Sequence, residues 1–153
     1  MKIRGPWSEQ QISTYLQESI IPARVAVNTP VGMPLVLSLW FLQRDGAIWC
    51  ACNKAARVVT LLRENPRCGF EIASDIPPYR GVRGQGTVRL DAPGGAEVLA
   101  ALLARYKIAP QSRLATTLSK AAASDNEIAI CIDPAWMTSW DFSARMSDAY
   151  APA

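Results

Sequence analysis

Three polar side chains set close together carry the most chemistry in this chain. Asn53, Lys54 and Arg57 stand where an apolar, strand-like segment gives way to a helical pattern. A helix N-terminus offers free backbone N–H groups and the positive end of the helix dipole, so a cation beside it completes a site for an anion such as a phosphate. Asn53 occupies the position of an N-cap. Lys54 and Arg57, three apart, can face the same anion from one helical turn. The plainer reading of either cation is a solvated surface charge.

Other chemistries are narrowed by composition. The 153 residues include no histidine, which removes a histidine general base, a His-ligated haem and most catalytic zinc sites. The four cysteines, Cys50, Cys52, Cys68 and Cys131, all fall in apolar strand-like segments without the spacing of a structural metal site. They read as small buried hydrophobes in a reduced compartment. A net charge of +3, evenly spread, argues against a nucleic-acid partner. No apolar run reaches the length of a membrane-spanning helix, and MKIRGPWSEQ at the start lacks a signal-peptide core, so a cytoplasmic protein without membrane association is expected. The length suits one domain over residues 1–153.

The elements that must position the anion site follow from periodicity. An apolar run over 35–42, interrupted by Ser38, predicts a strand buried on both faces, and Asp45-Gly46 predicts a hairpin turn into a second strand over 47–52. A helix is expected over 54–64, closed by Asn65-Pro66, with Ala55, Val58, Val59 and Leu62 buried. Upstream, Ser8 and Gln11 make a capping box for a helix to about residue 19, with Trp7 and Ile12 as its staple and Ile12, Tyr15, Leu16 and Ile20 as its apolar stripe. Residues 23–28 and 68–73 alternate as strands. Residues 82–90 form a half-buried strand whose inward face carries Gly84 and Gly86, a sign of a bend or of close approach by another backbone or a flat ligand. Helices are expected over 95–106 and 111–122, a strand over 127–132, and an extension of it over 136–142; the last residues, Tyr150 to Ala153, look frayed. Short hairpin connections make the sheet mostly antiparallel, and closure into a full or partial barrel removes exposed edges.

Gly32-Met-Pro-Leu-Val-Leu-Ser-Leu-Trp-Phe, then Asp45-Gly-Ala-Ile-Trp, then Arg57 through Leu62-Arg-Glu-Asn-Pro-Arg67, followed by Tyr79-Arg-Gly-Val-Arg-Gly-Gln-Gly-Thr-Val, resembles the pyridoxamine phosphate oxidase-like flavin proteins. The resemblance implies a mostly β fold, a split β-barrel of antiparallel Greek-key type with flanking helices. It also implies a homodimer with FMN at the interface. On that pattern Leu37, Ser38, Leu39 and Trp40 supply backbone groups beside the flavin ring. Ala51, Cys52 and Asn53 cover the ribityl chain, and Lys54 and Arg57 hold the phosphate. Arg80 and Arg83 reach the flavin from the partner chain, with Gln85 a weaker candidate, and Trp136 and Trp140 stand as walls or dimer packing. The family's serine near the basic pair is missing, and Asn53 is the candidate to replace it. The implied activity is two-electron transfer with a small-molecule substrate. The family's pyridoxamine phosphate oxidation is not expected, because its histidine-containing substrate motif is absent. A deazaflavin cofactor, or a non-enzymatic flavin- or tetrapyrrole-binding role, are the alternatives.

Overall fold

Eight strands and four helices account for most of residues 1–91 and 93–149, which the computed structural model describes; the expected fraying of residues 150–153 lies outside them. In chain order they are β1 (Lys2–Arg4), α1 (Glu9–Glu18), β2 (Ala23–Asn28), β3 (Pro34–Leu39), β4 (Leu42–Arg44), β5 (Ala47–Asn53), α2 (Arg57–Glu64), β6 (Arg67–Ala73), β7 (Arg80–Asp91), α3 (Gly95–Arg105), α4 (Arg113–Ala123) and β8 (Glu127–Asp141). The strands lie in the order β3-β2-β6-β7-β8-β5-β4, every neighbouring pair antiparallel, with β1 added in parallel beside β8. The run β5-β8-β7-β6 is a Greek key, its first strand lying beside its last. Residues from β2, β5, β6, β7 and β8 converge with α1 and α2 on one core that includes Val25, Cys50, Phe70, Val82 and Ile130. None of the described helices is long and apolar enough to cross a membrane.

Local signals in the sequence are realised closely. Gln11 donates its backbone N–H to Ser8 Oγ (3.3 Å), and Ser8 returns its own to Gln11 Oε1 (2.8 Å), the reciprocal capping box. Asp45 and Gly46 take φ of 53° and 75°, the two positive values that a tight hairpin of this hand requires. The glycines of β7 are explained by close approach. A Cβ on Gly84 would lie 2.4 Å from the carbonyl oxygen of Trp136 and 2.6 Å from the Phe70 ring, and one on Gly86 would lie 2.5 Å from the carbonyl oxygen of Asp133. The ladder between β7 and β8 slips between Gln85 and Gly86. What approaches is the backbone of β8, so these glycines bend the barrel.

Four expectations are corrected. The apolar run over 35–42 is not one strand buried on both faces. It forms β3, an edge strand with Val36 62% exposed, then breaks at Trp40 and Phe41 before β4. Helix α2 begins at Arg57 rather than residue 54, because Asn53 caps a turn of its own: its Oδ1 accepts from Ala55 N–H (2.9 Å) and its carbonyl from Ala56 N–H (2.9 Å). Ala55 is consequently exposed, whereas Leu61 joins Val58, Val59 and Leu62 inside. Ile20 lies beyond the end of α1 and is half exposed. The short β1 carries no periodic signal and was not anticipated.

One ion pair ties the two longest strands together. Arg89 donates from Nε (2.6 Å) and Nη2 (3.1 Å) to the Asp133 carboxylate, and its Nη2 also reaches Cys131 Sγ (3.0 Å). The hydrogen bonds from Arg89 hold the Asp133 carboxyl below the usual carboxylate range. A depressed folded-state pKa stabilises the native chain above the unfolded value of about 3.9 and loses that effect as pH falls through the folded value. Asp133→Asn is therefore expected to lower the melting temperature slightly at pH 7, where an exposed pair contributes little, and to converge with wild type as pH falls below about 4 and the Asp133 carboxyl is protonated. Melting curves by circular dichroism from pH 2.5 to 7 check this.

Candidate functional site

The break between β3 and β4 is where the site begins. Successive strand residues face opposite ways, so at the end of β3 the chain sends Phe41 into the core, where it is 0% exposed, and Trp40 outward against Tyr106. The two rings stack with centroids 4.9 Å apart and planes 18° from parallel. Tyr106 fixes this corner: its hydroxyl donates to the carbonyl of Ile21 (2.8 Å) and accepts from Phe41 N–H (3.2 Å). Arg105, the last residue of α3, donates to the carbonyls of Leu16, Gln17 and Ser19 at 2.7 Å each, and its guanidinium lies 5.2 Å from the centroid of Phe41.

Between this corner and the end of β5 lies a cavity of about 450 Å³. Ser38, Leu39 and Trp40 line it from one side and Ala51, Cys52 and Asn53 from the other. β3 and β5 share no ladder, so the cavity sits at the split in the barrel. Six of the residues singled out in the sequence, Ser38 to Trp40 and Ala51 to Asn53, thus meet in one place. β3 is hydrogen-bonded only to β2, so its other edge has backbone groups free of any ladder. Leu37 alternates to the opposite side and packs against the core.

The start of α2 is simpler than the sequence suggested. Lys54 precedes the helix and pairs with Asp125 at 2.7 Å, while its backbone N–H donates to the carbonyl of Asn126 (2.7 Å). Arg57 is the first residue of α2, exposed, and forms no hydrogen bond or ion pair among the described residues. Ala56 at the N-cap offers no side-chain oxygen, and no acidic residue occupies the first turn, so the helix start keeps free N–H groups and a positive end. Arg80 and Arg83 lie elsewhere on this chain. Arg80 heads β7 opposite Asp141, and Arg83 stacks at 5.3 Å over Trp140 beside a second groove that also holds Gln85 and Trp136. Trp136 donates its indole N–H to Gln85 Oε1 at 3.2 Å.

The far wall of the cavity was not anticipated. Leu99 and Leu102 of α3, Thr117, Leu118 and Ala121 of α4, and Glu127 at the head of β8 complete it. The sequence announced two helices here, and nothing in it said that α3 packs over β5 and carries α4 against it. The cysteines are poor nucleophiles here: burial pushes Cys52, Cys68 and Cys131 up to about 11 and raises Cys50 further. Helix α3 reaches this wall by a close contact, since a Cβ on Gly95 would meet the carbonyl oxygen of Glu127 at 2.4 Å. Gly95→Ala is expected to push α3 away from β8 and cost about 1–2 kcal/mol, toward the low end for forced insertions because a surface helix can shift outward. Urea unfolding measures it.

No sequence-family model matches the chain, and a search of curated proteins gives no significant match. Solved structures do match in fold. The conserved hypothetical protein Rv2991 from Mycobacterium tuberculosis superposes with a TM-score of 0.76 at 20% identity, covering 97% of this chain and 92% of that one. An F420 reductase superposes at 0.68 and 18% identity, covering 86% and 97%. A Listeria innocua protein provisionally named pyridoxamine 5'-phosphate oxidase superposes at 0.65 and 15% identity, covering 84% and 94%. The chain has the split-barrel fold of the pyridoxamine phosphate oxidase-like proteins, as its sequence resemblance implied.

Proposed function

We propose that the chain binds FMN in the cavity at the barrel split and acts as an oxidoreductase on a small molecule, two copies pairing so that each site lies at their interface. The observation that carries this reading is the succession of three environments along the chain. An aromatic and aliphatic cavity bounded by the free edge of β3 leads to the polar end of β5, and a short turn then delivers the chain to an uncapped helix start beside an arginine that is unpaired among the described residues. A flat ring, a polyhydroxyl chain and a phosphate, in that order, match them. The volume lies within the usual range for small-molecule sites. Trp40, Leu39 and Ala51 would exclude water from the ring, the backbone edge of β3 would orient it, and Arg57 with the first N–H groups of α2 would hold the phosphate. Bound FMN supplies the two-electron chemistry itself. In a paired molecule Arg80 and Arg83 are the candidates to reach across from the partner.

A deazaflavin cofactor is the second reading, favoured by the superposition on an F420 reductase. The absorbance of freshly purified protein separates the two. Oxidised-flavin bands released on heating, from a particle of twice the chain mass, support the FMN reading. A colourless protein that binds added deazaflavin and not FMN supports the second, and one that binds neither removes both.

A further inference from the structure

Among the described residues, Glu127 is the one acidic side chain lining the cavity, and no basic residue lines it. The residue is 5% exposed and makes no hydrogen bond or ion pair with the described residues. Its neighbours in the wall include Leu99, Leu102 and Leu118. A carboxyl set among leucines loses hydration without gaining a hydrogen bond from the described residues, and a leucine would fill such a wall better. Its oxygens open on the cavity, where water, or a ligand that replaces it, is the partner. Burial raises the Glu127 carboxyl above its ordinary value, which suits exchange of hydrogen bonds with a neutral ligand better than pairing with a cation.

The position says which part of a ligand it meets. Glu127 stands directly opposite Asn53 in the ladder between β5 and β8, so the two side chains leave the same face of the sheet. The Asn53 side-chain oxygen Oδ1 is engaged by Ala55 N–H, and its side-chain N–H groups have no partner among the described residues. Ser38 and Thr117 add hydroxyls to the same cavity, whose aromatic element is Trp40 on its stack with Tyr106. Carboxyl, carboxamide and hydroxyl groups gathered in one cavity form a donor-and-acceptor set suited to several hydroxyls. The geometry points to Glu127 as the residue that reads the hydroxylated side chain of the flavin and so makes the cavity select a polyol-bearing ring over a bare one. The inference rests on the flavin reading above.

The test titrates lumiflavin, which is the ring with a methyl group, and riboflavin, which adds the ribityl chain, into the wild-type chain and into Glu127→Leu, following flavin fluorescence. The expected result has two parts. Wild type binds riboflavin at least about tenfold more tightly than lumiflavin, and Glu127→Leu loses about tenfold for riboflavin while lumiflavin stays within about twofold. The ligand-free variant should also melt at a higher temperature than wild type. Equal loss for both ligands, or no loss for riboflavin, overturns the role of Glu127 and leaves flavin binding standing. Should Glu127→Leu not fold, the wild-type comparison decides: equal affinity for the two ligands overturns the proposal. Binding of neither ligand by wild type overturns it together with the flavin reading.

Discussion

Phe41→Ala is expected to lower the unfolding free energy by about 3–5 kcal/mol, the usual cost of removing a fully buried aromatic ring. The upper part of that range is expected because the ring does more than fill space. It lies under the Arg105 guanidinium, whose hydrogen bonds to three carbonyls at the end of α1 tie that helix to α3. Its backbone N–H is anchored on the Tyr106 hydroxyl, and the Tyr106 ring supports Trp40. Loss of the ring therefore loosens the corner from which Trp40 faces the cavity. Denaturant unfolding gives the stability, and Phe41→Leu serves as a volume-sparing control that should cost distinctly less. A loss under about 1 kcal/mol for Phe41→Ala would mean that the corner is held by other contacts.

Arg57→Ala is expected to weaken FMN by about 1.5–3 kcal/mol, or roughly ten- to a hundredfold, the range for a hydrogen bond to a charged group. Arg57 is exposed and unpaired among the described residues, so its removal should leave the melting temperature nearly unchanged. Riboflavin, which lacks the phosphate, should bind the variant and wild type alike. Lys54→Ala should do less, because Lys54 is engaged with Asp125. Unaltered FMN affinity in Arg57→Ala, measured by fluorescence titration, would remove the arginine from the site.

What the sequence disclosed was its local chemistry. Ser8 with Gln11, Asp45 with Gly46, and the alternation around Gly84 and Gly86 each depend on a few neighbouring residues, and each is found in the structure as read. Edge and interior positions were harder. The run from Leu35 onward is apolar on both faces, a pattern shared by a central strand and by an edge strand with an exposed apolar side; only the pairing with β2 alone decides between them. Asn53 is equally suited to cap a helix or a turn, and here its turn delays α2 by three residues and takes Lys54 out of the helix. The salt bridge from Lys54 to Asp125 and the wall built by α3, α4 and Glu127 depend on contacts between distant segments, to which periodicity is blind.

FMN titrated side by side into wild type and Ala121→Phe, with flavin fluorescence as the readout, tests the central claim most directly. Ala121 lines the cavity from α4 and is only partly buried, so a phenyl ring there occupies the cavity without entering the barrel core. The account predicts saturable binding of one FMN per wild-type chain and loss of that binding in a variant whose circular dichroism is unchanged. Wild-type affinity retained in Ala121→Phe, or no binding by wild type, would contradict it.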